Sequence, residues 1–235
     1  MNKDKFKIII KAKKVPIVDN PIIEYVEDDR KSRLYCKIYY DNNLIAKGII
    51  LDFYKEFENI EIGEKHTHIL TFEWNGEIYT KNTYFGQMVF EIKNYKNPSL
   101  NIKTKEKYIN EIVAIFDGYI KSLLKRDKNL TLGFVPSSSK LPDEITNKLD
   151  SINKLSFNNF IFKNSDIQSK NITTIANQHF DKYHIDLNIF KKDSTFLIID
   201  DVVGTGATFC ELMYILYNFN RKINYFLAIV KDVKR

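Results

Sequence analysis

The stretch that most constrains the fold is Phe196-Leu197-Ile198-Ile199-Asp200-Asp201-Val202-Val203-Gly204-Thr205-Gly206-Ala207-Thr208. Four apolar residues run straight into two adjacent acids. A continuous apolar run of this kind reads as a strand buried on both faces, the habit of parallel sheets. Acids where such a strand ends sit at the carboxyl edge, where open α/β sheets bind ligands. The glycine- and threonine-bearing loop then opens a helix. Its N–H groups and hydroxyls form an anion cradle. Gly-Lys-[Ser/Thr] is absent, so this is not a Walker A loop, and Gly-x-Gly-x-x-Gly is absent, so it is not a dinucleotide fingerprint.

Elements read from the rest of the chain fall into two parts. Residues 1–103 look β-rich. Phe6 to Ile10, Leu34 to Tyr40, Leu44 to Phe53, His66 to Trp74, Glu77 to Lys81 and Tyr84 to Ile92 carry β-branched or aromatic residues and are expected as strands of an antiparallel sheet or small barrel. Asn75-Gly76 between two such runs predicts a type I′ hairpin. A second turn is expected at Asp41-Asn42-Asn43, and a domain boundary at Asn94 to Ser99.

Residues 104–235 alternate helix and strand, which predicts an α/β domain with a parallel sheet. Ile109, Ile112, Val113, Phe116, Ile120, Leu123 and Leu124 form one helical stripe, with Thr104 as its expected N-cap. Leu130 to Val135 reads as a buried strand, Pro136 to Lys140 as a loop, and Pro142 to about Asn153 as a helix. Phe160 to Lys163 and Thr195 to Ile199 are expected strands, with residues 164 to about 190 polar. Ala207 to Phe219 is expected as a helix and Ile223 to Val230 as the last strand.

The apolar strand, acid pair and Thr205-Gly206-Ala207-Thr208 closely resemble the phosphoribosyl pyrophosphate (PRPP) motif of type I phosphoribosyltransferases. The resemblance covers about residues 105–235, and its layout is ComF-like. It implies a parallel-sheet phosphoribosyltransferase core preceded by the β-rich region, with PRPP and Mg²⁺ as ligands. Gly204, Thr205, Gly206, Ala207 and Thr208 would hold the 5′-phosphate. Asp200 and Asp201 would accept from the ribose hydroxyls, with Mg²⁺ bridging those hydroxyls and the pyrophosphate. Pro136, Ser137, Ser138, Ser139 and Lys140 fall where the family has its pyrophosphate loop. Small residues there let N–H groups approach an anion, and Lys140 adds charge. Asp166 to Thr174 match the family's closing catalytic loop in place, with Lys170 positioned to contact the departing pyrophosphate. Two departures stand out. Gly204 occupies a position where purine-type members often carry an aspartate. The ComF-like group's amino-terminal zinc segment has no cysteines here, and the β-rich region stands in its place, large enough to serve as an acceptor hood.

Composition sets the outer bounds. The 235 residues suit one large domain or two small ones, and a net charge of +6 suits a phosphorylated ligand while leaving nucleic acid open. Cys36 and Cys210 are far apart, which argues against zinc or a disulfide framework and for a reducing compartment. The first residues lack a signal-peptide core and no apolar run approaches a membrane span, so a cytoplasmic protein is expected. His66 and His68 share a face if their segment is a strand, and without a third ligand they read as surface histidines. His179 and His184 follow the polar loop as acid–base candidates without an assigned role.

Three readings remain open from sequence. The chain is an enzyme passing phosphoribose to a nitrogenous acceptor such as a nucleobase. It is a PRPP- or nucleotide-sensing regulator without turnover. Or it is a partner-dependent module of a bacterial stress or defence system, docking protein or nucleic acid through residues 1–103. A homo-oligomer is expected in each.

Overall fold

The computed structural model describes residues 2–93, 100–157, 159–164 and 182–233. Its strands are β1 (Phe6–Ala12), β2 (Ile23–Glu27), β3 (Leu34–Tyr40), β4 (Asn43–Phe53), β5 (Phe57–Ile62), β6 (Glu64–Ile69), β7 (Thr71–Trp74), β8 (Glu77–Thr80), β9 (Leu130–Phe134), β10 (Ser156–Phe157), β11 (Ile161–Lys163), β12 (Tyr183–Ile185), β13 (Thr195–Val203) and β14 (Asn224–Lys231). Its helices are α1 (Tyr84–Lys93), α2 (Ile102–Leu124), α3 (Leu141–Asn153) and α4 (Ala207–Asn220).

The fold is mixed α/β. One eight-stranded sheet runs β10-β9-β13-β14-β4-β3-β1-β2. The first five strands pair in parallel, β3 is antiparallel to both its neighbours, and β2 returns parallel to β1. β13 alternates its side chains between two cores. Phe196 and Ile198 join α4 and the inner residues of β1, β3 and β4, while Leu197 and Ile199 join α1, α2 and α3. The molecule is thus three layers, with helices on both faces of the parallel half.

The expected division between residues 1–103 and 104–235 does not interrupt this sheet. β4, from the first part, lies against β14 over Asn224↔Ala46 to Lys231↔Phe53. Unpaired N–H and C=O groups along β14 would otherwise be buried without partners. The expected antiparallel pairing holds for β1, β3 and β4 and for the β5–β6 and β7–β8 hairpins, but these strands close no barrel, and β4 joins them to the parallel sheet. The expected boundary at Asn94 to Ser99 lies outside the described residues.

Local expectations fare unevenly. Asn75 (φ 51°) and Gly76 (φ 76°) turn β7 into β8, and Asp41 (φ 50°) and Asn42 (φ 63°) turn β3 into β4, both with the two positive φ values of a type I′ turn. The expected strand at Tyr84 to Ile92 is instead α1. Phe85, Met88 and Val89 recur at helical spacing and are buried, and the packing of that stripe overrides the β propensity of its residues. Thr104 is not the cap of α2. Asn101 is, its side chain accepting from the Lys103 N–H at 2.9 Å. His66 to Trp74 is broken at Leu70 into β6 and β7, and β2 and β5 were not anticipated from their charge-interrupted sequences.

Candidate functional site

The parallel half reverses direction between two neighbouring strands. From β9 the chain crosses through α3 to β10 on one side, and from β13 it crosses through α4 to β14 on the other. Such a switch point leaves a crevice at the carboxyl ends of the two strands, because the loops that follow them diverge. The β9–β13 ladder ends at Phe134↔Ile199, whereas the β13–β14 ladder continues to Val203↔Lys231. Asp200 and Asp201 therefore lie within β13, not beyond it. Their strand is paired on the β14 side and released from the β9 ladder on the other, at the mouth of the crevice.

Successive strand residues point to opposite faces, and the two acids divide the site accordingly. Asp201 faces the α1 side. Its Oδ2 accepts from Ser139 Oγ at 2.8 Å, from Ser137 Oγ at 3.2 Å and from Lys93 Nζ at 2.9 Å. Ser137 Oγ and Ser139 Oγ lie 2.9 Å apart, and with each single hydroxyl proton given to Asp201 neither donates to the other. Three donors from two distant segments thus converge on one carboxylate oxygen. Asp200 faces the α4 side and is buried, its Oδ1 accepting from the Asp201 N–H at 2.8 Å. Burial, and then the neighbouring charge of Asp201, push its carboxyl well above the usual carboxylate range, while the Asp201 and Val202 N–H groups and Lys93 oppose that shift.

The Gly204 to Thr208 loop completes the crevice. Gly206 has φ 84° and caps α4, which begins at Ala207. That left-handed φ is what favours glycine, and a Cβ there would in addition lie 2.4 Å from Ile8 Cδ1 on β1. Gly206 at the N-cap offers the first turn of α4 no side-chain acceptor. Thr205 Oγ1 accepts from the Ala207 N–H at 3.5 Å, and Tyr183 on β12 lies near Thr208. Burial and the charge of Asp200 hold the Tyr183 phenol protonated. Tyr54, just past β4, is likewise raised by burial and by Asp232 and Asp201.

The structure brings together the acid pair, Ser137, Ser139 and the Gly204–Thr208 loop. Pro136 is half-buried, while Ser138 and Lys140 are exposed, Lys140 taking φ 55° at the start of α3. Lys170, the whole of Asp166 to Thr174 and His179 lie outside the described residues. His184 is exposed on β12, and His66 and His68 are exposed on β6, His68 within 3.7 Å of Glu58 on β5. Among the described residues no group of three or more metal-ligating side chains converges. A cation at Asp200 and Asp201 would need ligand oxygens to complete its shell. Buried hard-oxygen donors beside a helix N-terminus capped by glycine do fit a Mg²⁺–phosphate pair.

Lys93, Tyr54 and Tyr183 were not anticipated. Lys93 is 108 positions from Asp201 in sequence and closes on it only because α1 packs against β4 and β14. No spacing rule links residues so far apart; its one local signal is a cation in the last turn of a helix.

Protein-family models and curated protein sequences yield no match to this chain.

Proposed function

We propose that the chain binds PRPP with Mg²⁺ in the β9–β13 crevice and transfers its phosphoribosyl group to a nitrogenous acceptor such as a nucleobase, releasing pyrophosphate. The observation that carries this reading is the convergence of Ser137 and Ser139 on Asp201, next in sequence to the glycine-capped N-terminus of α4, at the switch point of the sheet. In it, the N–H groups and hydroxyls of Thr205 to Thr208 hold the 5′-phosphate. Asp200 and Asp201 accept from the ribose hydroxyls. The Ser137–Ser139 loop donates to the pyrophosphate. Bound Mg²⁺ supplies Lewis-acid neutralisation of the diphosphate charge. The C1–oxygen bond breaks with its electron pair leaving on pyrophosphate, and the acceptor nitrogen forms the new bond to C1 as its N–H proton passes to solvent. The two buried carboxylates tolerate the positive charge that develops on the ribose.

A sensing role without turnover is favoured by one feature. Gly204 places no side chain beside the ribose to assist proton transfer at an acceptor. One experiment weighs the two readings. PRPP with Mg²⁺ is expected to raise the melting temperature, and Asp200→Asn with Asp201→Asn to abolish that shift. Pyrophosphate release dependent on an added base supports transfer; a thermal shift without release supports sensing. No shift in the native protein excludes both.

A further inference from the structure

We infer that Lys93 is the diphosphate-binding cation of this site, held in reserve by Asp201, so that the β-rich half of the chain contributes a ligand contact. This rests on the PRPP reading above. The three donors on Asp201 Oδ2 are one ammonium and two hydroxyls, within 2.8 to 3.2 Å of a single anionic oxygen. That is the donor set an oxygen of a diphosphate requires, and Asp201 fills it with a carboxylate.

Lys93 is suited to the exchange. Its side chain retains 31% exposure, whereas that of Asp201 retains 6%, so the lysine is the more accessible member of the pair. Its helix is anchored. Phe85, Met88 and Val89 are buried, Thr83 Oγ1 bonds the Phe53 carbonyl and accepts from the Gly86 N–H at 3.1 Å, and Gly86 lets the helix approach Tyr54. The backbone therefore stays fixed while the long, flexible side chain changes partner. When the diphosphate takes Lys93, Ser137 and Ser139, Asp201 becomes available to the ribose hydroxyls and to the accompanying cation. Each charge keeps an opposite partner, which avoids leaving a buried carboxylate uncompensated. The latch also has a consequence: an anion arriving without a divalent cation must compete with Asp201 for Lys93.

Calorimetric titration with PRPP, inorganic pyrophosphate and ribose 5-phosphate tests this on the full chain. Lys93→Gln is expected to weaken PRPP and pyrophosphate by about tenfold or more, while ribose 5-phosphate, which lacks the diphosphate, stays within about twofold. Lys93→Arg should recover most of the loss. Asp201→Asn removes the competing carboxylate, so pyrophosphate without Mg²⁺ should bind about fivefold more tightly, a gain that adding Lys93→Gln erases. Equal losses for all three ligands, no loss for any, or a gain in Asp201→Asn that survives Lys93→Gln would overturn the assignment. If the native chain binds neither PRPP nor ribose 5-phosphate, the underlying reading of the site falls instead.

Discussion

At the scale of single residues, the site is held against the preferences of its own side chains. Asp200 is the clearest case. Its carboxyl is raised by burial and by Asp201, so the folded state binds a proton more tightly there than the unfolded chain does. Stability from this group is greatest at low pH and is lost as pH rises from the unfolded carboxylate value through the raised one. Asp200→Asn should therefore melt above the native protein at pH 7 to 8, by about 2–4 °C for each ~1 kcal/mol relieved. The gap should close as pH falls toward about 4, near the unfolded carboxylate value. Scanning calorimetry across pH checks this, and an equal gap at every pH would contradict it. Gly86 makes the opposite case. A Cβ there would sit 1.9 Å from the Tyr54 carbonyl oxygen, a backbone atom that cannot swing away. Gly86→Ala should cost about 1–3 kcal/mol in denaturant unfolding, although alanine is the better helix former.

At the scale of elements, the β7–β8 hairpin differs from everything around it. All eight of its residues are exposed, and Phe72 and Tyr79 stack across it at 5.7 Å. Trp74, the single tryptophan of the chain, is 64% exposed. The hairpin buries no core, so Trp74→Ser should change stability by no more than about 0.5 kcal/mol, in contrast to Gly86→Ala. Native tryptophan emission should be that of a solvated indole, readily quenched by iodide. A blue-shifted, protected emission would mean that this ribbon packs against something. α1 shows the converse. A ten-residue segment, five of whose side chains are β-branched or aromatic, becomes a helix because one stripe meets β4 and β14, and that same docking delivers Lys93 to the crevice.

At the scale of the whole molecule, the pairing of β4 with β14 joins the two halves through a continuous ladder. Core residues of both halves share each face: Ile10, Ile38 and Ile50 pack with Phe209 and Phe226, and Leu51, Phe85 and Val89 pack with Ile112 and Leu227. The full chain should therefore unfold in one transition, with calorimetric and van't Hoff enthalpies equal. A fragment of residues 104–235 should fail to fold cooperatively, because it exposes the β14 edge and half of both cores. Two separable transitions would show that the halves are independent.

The amino-acid sequence determined what is local. The apolar run from Phe196 to Ile199, the helical stripe from Ile109 to Leu124, the Asn75-Gly76 turn and the acid–glycine–threonine loop are each set by neighbours within a few positions, where periodicity and turn chemistry act directly. Ser137 and Ser139 were legible as a small-residue loop after a buried strand. The tertiary structure decided what depends on contacts between distant segments: that β13 continues past its acids because β14 keeps pairing with it, that β4 joins the amino-terminal strands to the parallel sheet, and that Tyr84 to Lys93 is helical. It also decided that Lys93 meets Asp201. An ion pair spanning 108 residues leaves no periodic trace in a sequence. Its formation depends on the packing of α1 against β4 and β14.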